Sequence, residues 1–193
     1  MIEILLIRHG ETSYNKDGRF MGITDIGLNS EGRRQVRGLK KKLSKVEIDL
    51  VLSSDLQRCR ETAGLIFDGD IEYHPLLREM NFGRWEGERW TDIKEKDEKE
   101  YLRWKKNWIK RPAPGGESFT EMSLRAVSAI DGLLKREFTR AAVVTHGGCI
   151  RSILGHYIIG SLKNSWRFQV DNGAVTRLCF NDAYGYLRTL NEK

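Results

Sequence analysis

The sequence lacks both a long hydrophobic run and a signal peptide. None of its apolar stretches approaches the roughly 20 residues that a helix needs to cross a bilayer. The N-terminus has neither the basic start nor the long apolar segment of a secretory signal. In 193 residues, 39% are hydrophobic and 31% are charged, a composition typical of a globular domain with a core of its own. We therefore expect a cytoplasmic protein with no membrane partner.

Cysteine and histidine are also scarce, which excludes other classes. The three cysteines form no CxxC pair and are odd in number, which favours a reducing compartment over a disulfide framework. The four histidines show no metal-ligand spacing, so we expect neither a metal nor another cofactor. These residues are Cys59, Cys149, Cys179, His9, His74, His146 and His156.

The charge balance is basic, with a formal net charge of +6 and a pI near 9.3. Such a surplus indicates either an anionic partner or a solvated lysine-rich face such as "LKKKLSK" at 39–45. The chain contains no nucleic-acid-binding motif and no array of basic and aromatic residues, so we expect no nucleic-acid partner.

Strand-like and helix-like segments alternate along the chain. Apolar runs at 2–7, 48–54 and 140–145 are typical of buried strands. Helical patterns follow the second and third runs, and "AVTRLCFN" with "GYLRTLN" predicts a hairpin across "DAYG" at 182–185. The alternation predicts a three-layer α/β/α fold with a mixed, mostly parallel sheet, in one domain over 1–193.

A charged, aromatic-rich segment interrupts this alternation. Residues 88–111 are predicted to form a helix in which Tyr101, Trp104 and Trp108 share one face. The loop "KRPAPGGES" then leads to a helix that begins with a capping box, Ser118-x-x-Glu121. The insertion at about 88–117 is either a small helical lid over a site or a helix that packs its aromatic residues on the core.

Polar side chains follow three of the predicted strands. Arg8 and His9 end the first strand, Arg58 follows the second, and His146 ends the strand at 140–145. If these strands are parallel neighbours, one crevice receives two arginines, two histidines and helix N-termini, which together favour phosphate. Taken singly, Arg58 would be a surface residue and His146 a satisfied core histidine, so the coincidence of positions carries the argument.

The sequence lacks the motifs of several other phosphate-binding and phosphatase sites. There is no P-loop and no GxGxxG. A cysteine phosphatase needs an arginine six positions after its nucleophile, but Leu65, Gly155 and Gly185 occupy those positions. A histidine nucleophile is what remains, and neighbouring arginines would keep its imidazole neutral.

Five ordered motifs resemble those of the histidine phosphatase (phosphoglycerate mutase-like) superfamily. They are "IRHGETSYN", "SSDLQRCRETA", "LREMNFGRWEG", "PGGES" and "THGGCIR", and they cover nearly the whole chain. The resemblance implies that His9 is phosphorylated, that Arg8, Arg58 and His146 form the phosphate pocket, and that Glu79 is first acid and then base. Without its motif, Glu79 would be an ordinary surface glutamate.

The resemblance also implies substrate-binding positions around the phosphate. Asn15 matches a residue that helps to hold it, and Gly22 and Gly147 fall at binding positions of the motifs. Met21 departs from the family, which often carries a polar residue there, and this puts the identity of the substrate in doubt.

The short "EMNFGRWEG" segment and insertion resemble the small phosphatases, including α-ribazole phosphatases. We expect a metal-independent phosphomonoesterase that acts on a small phosphorylated metabolite, with a homodimer as one option for its assembly. The alternatives are a cofactor-dependent phosphoglycerate mutase and a catalytically idle phosphate-binding module. Four tryptophans are expected around the entrance, where they would favour a flat, partly apolar ester unless they belong to the core: Trp85, Trp90, Trp104 and Trp108.

Overall fold

A six-stranded mixed sheet forms the centre of the molecule. The computed structural model describes residues 1–181 and 184–193. The strands are β1 (Ile2–Arg8), β2 (Leu50–Ser53), β3 (Glu72–Tyr73), β4 (Arg140–Thr145), β5 (Val175–Phe180) and β6 (Gly185–Glu192). Their order is β3-β2-β4-β1-β5-β6, in which β3, β2, β4 and β1 are parallel and β5 and β6 run antiparallel to their neighbours. The predicted fold class is confirmed.

Helices cover both faces of this sheet. They are α1 (Ser13–Lys16), α2 (Ser30–Leu43), α3 (Gln57–Ile66), α4 (Trp90–Lys96), α5 (Glu98–Asn107), α6 (Phe119–Leu134) and α7 (Gly147–Leu154). Short 3₁₀ turns lie at Pro75–Leu77, Gly83–Trp85 and Leu162–Arg167, and a π turn follows α7 at Gly155–Ile159. No helix among the described residues is long and apolar enough to cross a membrane.

The alternation of side chains along β1 supplies two separate cores. Ile4 and Leu6 pack with residues of α6 and α7, whereas Leu5 and Ile7 pack with residues of α2 and α3. All four side chains are fully buried. Because period-two alternation sends neighbours to opposite faces, a continuous apolar run is what a strand covered on both sides requires.

Local signals decide several element ends. The capping box predicted at Ser118 is present, since its hydroxyl accepts from the Glu121 N–H and the Glu121 carboxylate accepts from the Ser118 N–H. The predicted hairpin is confirmed in the pairing of β5 with β6. Its turn includes residues 182 and 183, which lie outside the described residues. The lysine run at 39–45 closes α2, a helix whose Asn29 cap was missed.

The predicted single helix over 88–111 is wrong. The backbone breaks at Asp97, whose φ of −138° and ψ of 41° separate α4 from α5. The Asp97 N–H donates to Ile93 O at the end of α4, and the Asp97 carbonyl accepts from the Tyr101 N–H at the start of α5. The predicted spacing of Tyr101, Trp104 and Trp108 therefore applies to α5 and its C-cap alone, after the break.

Candidate active site

The parallel strands bring the predicted residues to one edge of the sheet. β4 lies between β1 and β2 with Arg8 opposite Thr145 and Val144 opposite Ser53. The three strands therefore end side by side, and His9, Ser54 and His146 follow directly. Ligands of open α/β sheets bind outside these carboxyl ends.

His9 is buried with one ring nitrogen fixed. Nδ1 lies 2.7 Å from the Gly10 carbonyl oxygen, which can only accept, so Nδ1 carries the hydrogen and Nε2 keeps its lone pair. Burial first, and then the charges of Arg58 and Arg8, hold the pKa of His9 well below its usual range. The ring is therefore a neutral base with a bare Nε2, which is the form that a nucleophile requires.

Arg58 on α3 is fully buried and held by the protein through all three of its nitrogens. Nη1 donates to Thr24 O at 2.8 Å and Nη2 to Gly22 O at 2.6 Å. Nε donates to Nδ1 of His146 at 3.2 Å. Burial lowers the pKa of Arg58. The two carbonyl acceptors keep the guanidinium in one orientation.

His146 lies at the N-cap of α7 and is the acceptor of that Arg58 bond. Because Nδ1 accepts, Nε2 carries the hydrogen and donates to the Ser54 hydroxyl at 2.9 Å. Burial, followed by the charge of Arg58, holds the pKa of His146 well below its usual range. Both ring nitrogens contact protein groups here, so His146 positions Arg58, and its contact with phosphate stays a prediction.

Arg8 differs from Arg58 in its unused hydrogen-bonding capacity. Nη1 donates to Val170 O at 2.7 Å, whereas the buried Nε has no hydrogen-bond partner among the described residues. Burial and the nearby charge of Arg151 lower the pKa of Arg8 to about 10, so it is still charged at neutral pH. Arg151 on α7 is a third guanidinium near this site. It was not expected from the strand ends, because it lies inside a helix, at the end of the "THGGCIR" motif.

Glu79 is fixed at the amino end of α7. Its Oε2 accepts from the Gly148 N–H at 2.8 Å and its Oε1 from the Met80 N–H at 3.0 Å. Arg125 of α6 donates to the backbone carbonyl of Glu79 at 2.9 Å and thereby anchors the segment. The carboxyl group thus lies beside the pocket, as the motif implied, and Arg125 was missed because it is remote in sequence.

Asn15 and Met21 lie next to each other around the side chain of Thr12. The Asn15 amide oxygen accepts from Thr12 N and from Asn172 Nδ2, each at 3.2 Å, which leaves the Asn15 NH₂ group for a ligand. Met21 is 7% exposed, and its sulfur accepts from the Thr12 hydroxyl at 3.3 Å. Met21 is therefore buried against Thr12, the residue whose backbone N–H also binds Asn15.

Gly22 and Gly147 each occupy a place where an added Cβ would come too close to a neighbouring atom, for different local reasons. A Cβ at Gly22 would overlap the Met80 carbonyl oxygen, so glycine lets this loop reach the Glu79 segment. A Cβ at Gly147 would lie 2.9 Å from Arg151 Nη1 and 3.3 Å from Arg8 Nε. Gly147 thus keeps the N-terminus of α7 open beside two guanidinium groups.

The expected tryptophan rim is wrong in part. Trp85 is 3% exposed and forms a small core with Ile93, Tyr101 and Ala113, against which Trp104 packs. Trp108 packs against Phe119 with ring centroids 4.9 Å apart and the ring planes tilted by 58°. Trp90 remains 49% exposed. The aromatic face of α5 is therefore packed against the protein, because burying these rings removes a large apolar area from water.

Comparison with known proteins agrees with this geometry. The model of the histidine phosphatase superfamily (branch 1) matches residues 4–193. This chain belongs to that superfamily. It is 32% identical to the adenosylcobalamin/alpha-ribazole phosphatase of Escherichia coli (strain K12), over 100% of this chain and 97% of that protein. It is 36% identical to a metal-independent phosphoserine phosphatase of Arabidopsis thaliana, over 78% of this chain and 66% of that one.

A solved structure gives the same picture of the fold. The crystal structure of the alpha-ribazole phosphatase from Shigella flexneri has a TM-score of 0.94 and 31% identity, covering 99% of this chain and 96% of that one. Within the described residues of this superfamily member, no group of three or more histidine, cysteine or carboxylate side chains could hold a metal ion.

Proposed function

We propose that the protein is a phosphomonoesterase that works through a phosphohistidine at His9. The observation that supports this most is the neutral, buried imidazole, whose Nδ1 is bound to Gly10 O, whose Nε2 keeps its lone pair, and on which the charges of Arg58 and Arg8 act. In the first step Nε2 attacks phosphorus, an N–P bond forms, and the bond from phosphorus to the ester oxygen breaks.

The arginines stabilise the charge on the transferring group. Arg8 and Arg58 are held in place before the substrate arrives, so their dipoles and charges need no reorganisation during the reaction. The Gly147 N–H at the N-terminus of α7 adds a further donor to the same oxygens, since the Gly148 N–H is bound to Glu79.

Glu79 handles the protons of both half-reactions. As an acid it gives its proton to the departing alkoxide oxygen, and as a carboxylate it then takes one from water. That water attacks the phosphohistidine, the N–P bond breaks, and inorganic phosphate leaves with Glu79 protonated again. The bonds from Gly148 and Met80 to the carboxyl group keep it in place through both steps.

We propose that the reaction needs no metal and no other cofactor. Arg8 and Arg58 supply the positive charge that a metal supplies in other phosphatases, and a relative in Arabidopsis thaliana carries the name metal-independent phosphoserine phosphatase. Activity on p-nitrophenyl phosphate should survive exhaustive chelation. A loss that Mg²⁺ or Zn²⁺ restores would contradict the proposal.

Among substrates we propose α-ribazole 5′-phosphate, because relatives that cover the chain from end to end carry that name. The partner is then a small phosphorylated metabolite. Since Trp85 and Trp104 belong to the protein interior, this proposal no longer rests on a rim of four tryptophans.

The deciding experiment is a competition at equal concentration between α-ribazole 5′-phosphate, phosphoserine and 3-phosphoglycerate. We expect the highest kcat/KM for the first and no mutase activity with 2,3-bisphosphoglycerate present. A preference for phosphoserine would retain the phosphatase and replace its substrate. Mutase turnover would favour the phosphoglycerate mutase alternative, and binding of phosphate without any turnover would favour the idle module.

A further inference from the structure

Glu86 is a charged residue of the site that the mechanism above does not use. It lies at the end of the 3₁₀ turn Gly83–Trp85, and its carboxylate accepts five hydrogen bonds from two segments. The donors are Gly22 N, Ile23 N, Thr24 N and Phe82 N at 2.9–3.1 Å and the Thr24 hydroxyl at 2.5 Å. No arginine or lysine in the described part of the chain forms an ion pair with it.

Four of these five donors belong to the loop Gly22–Thr24, which holds Arg58. Ile23 N donates to Glu86, and the carbonyl of that same peptide group, Gly22 O, accepts from Arg58 Nη2 at 2.6 Å. One peptide group therefore connects the carboxylate to the guanidinium. Hydrogen bonds in such a chain polarise and strengthen one another. Thr24 adds a second connection that spans two peptide groups, since its N–H donates to Glu86 Oε2 and its carbonyl, in the next peptide group, accepts from Arg58 Nη1.

The remaining donor belongs to the segment that carries Glu79. Phe82, which lies three residues after Glu79, donates its N–H to Glu86 Oε1. Gly22 also lies so close to the Met80 carbonyl oxygen that no Cβ would fit between them. Glu86 thus joins the wall that carries Arg58 to the wall that carries Glu79.

We propose that Glu86 is a positioning residue that sets the place of Arg58 for phosphate binding through the peptides of Gly22 to Thr24. This rests on the proposed function only for its kinetic readout, because the binding of an oxyanion depends on Arg58 whether or not turnover follows. Glu86→Gln is the informative change. It keeps the shape but replaces one acceptor oxygen by an NH₂ group, which must then face N–H donors.

The test compares Glu86→Gln with Asp49→Asn. The Asp49 carboxylate also accepts two backbone N–H bonds, from Thr139 and Arg140 at 2.8 Å each, at the opposite end of the strands. We expect Glu86→Gln to weaken vanadate and inorganic phosphate binding, measured by calorimetry, about 10- to 100-fold. The kcat/KM for p-nitrophenyl phosphate should fall by a similar factor. Asp49→Asn should lower Tm and leave both readouts unchanged.

A double-mutant cycle separates positioning from general destabilisation. In an Arg58→Ala background, Glu86→Gln should cause little further loss of vanadate affinity, because the group it positions is gone. Equal losses with and without Arg58, or unchanged vanadate affinity in the single variant, would overturn the proposal. If wild type binds vanadate but hydrolyses no ester, the proposed function fails while the cycle still tests Glu86.

Discussion

The two ends of strand β1 handle charge in opposite ways. At its start Glu3 is 4% exposed, and its carboxylate contacts Arg140 at 2.5 Å and Arg177 and Arg188 at 3.4 Å. At its end His9 is equally enclosed and Arg8 is half-buried, but Arg8 has a carbonyl as its hydrogen-bond acceptor and His9 is kept neutral. The seven residues of β1 therefore run from a carboxylate that is paired with arginines, Glu3, to an arginine that is hydrogen-bonded to a carbonyl, Arg8.

The difference teaches which buried charge serves stability and which serves binding. A buried carboxylate among arginines is compensated when the chain folds. Arg8 and Arg58 form hydrogen bonds to carbonyls and to an imidazole, and among the described residues neither meets a carboxylate in an ion pair. Their charge remains available for an anion that arrives from solution.

The strongest test of the end that carries the site is His9→Asn. We expect turnover of a phosphate ester to fall on the order of 10⁴-fold or more, because the nucleophile is lost. Acid-quenched wild type treated with ³²P-labelled ester should carry label on the peptide that contains His9. His156→Gln, at an exposed histidine, should retain both activity and label. Label on another peptide would contradict the assignment.

Next in size is Glu79→Gln, which removes the acid and leaves the pocket charges. Hydrolysis of alkyl phosphates should slow roughly 10²–10⁴-fold, whereas aryl phosphates with good leaving groups should slow far less. The measurement is kcat/KM on a series of esters of graded leaving-group pKa. A uniform loss across the series would show that Glu79 binds or positions instead of transferring a proton.

At the start of β1, Glu3→Gln should reduce stability and leave kcat/KM per folded enzyme unchanged. We expect a loss of about 1–3 kcal/mol in the free energy of unfolding at neutral pH, since three arginines lose their shared partner. The pKa of Glu3 is lowered by the hydrogen bond from Arg140 and the charges of the arginines against the opposing effect of burial. Its contribution is therefore present above the unfolded value and disappears as the pH falls through the folded one.

The corresponding measurement is urea unfolding at neutral and at acid pH. The gap between wild type and Glu3→Gln should narrow as the pH drops below the ordinary value of 4.5. Glu192→Gln, which removes a more exposed partner of Arg177, serves as the control and should show a smaller gap. A gap that is constant with pH would mean that the charge of Glu3 contributes nothing.

The last comparison concerns the buried histidines of the site, whose effect on stability grows as the pH falls. His9 and His146 have lowered pKa values because of burial and then Arg58, so the unfolded chain takes up protons first as the pH falls below 6.5. Each should reduce stability by about 1.4 kcal/mol per pH unit below that point. Urea unfolding of His146→Gln should show about half the slope of wild type, and His156→Gln the full slope. Equal slopes for all three would contradict the burial argument.

Much of the site was predictable because its residues follow strands. Arg8, Arg58 and His146 were expected in one crevice from the ends of three apolar runs, and the parallel order β2-β4-β1 places them there. Glu79 needed its motif, because it follows no strand of that group and its anchor Arg125 is 46 residues away in sequence. The role of Glu86 could not be predicted, because in the sequence it resembles an ordinary surface glutamate.

The sequence by itself predicted most of the elements and the candidate site residues: apolar runs long enough for buried strands, a capping box at Ser118, and a histidine beside an arginine at the end of the first strand. Only the tertiary structure decided the partners of each group. It turned Met21 inward, assigned both nitrogens of His146, and packed Trp85 into a small core. The physical reason is that periodicity and capping act over a few residues, whereas hydrogen bonds and burial at the site join segments far apart in the chain.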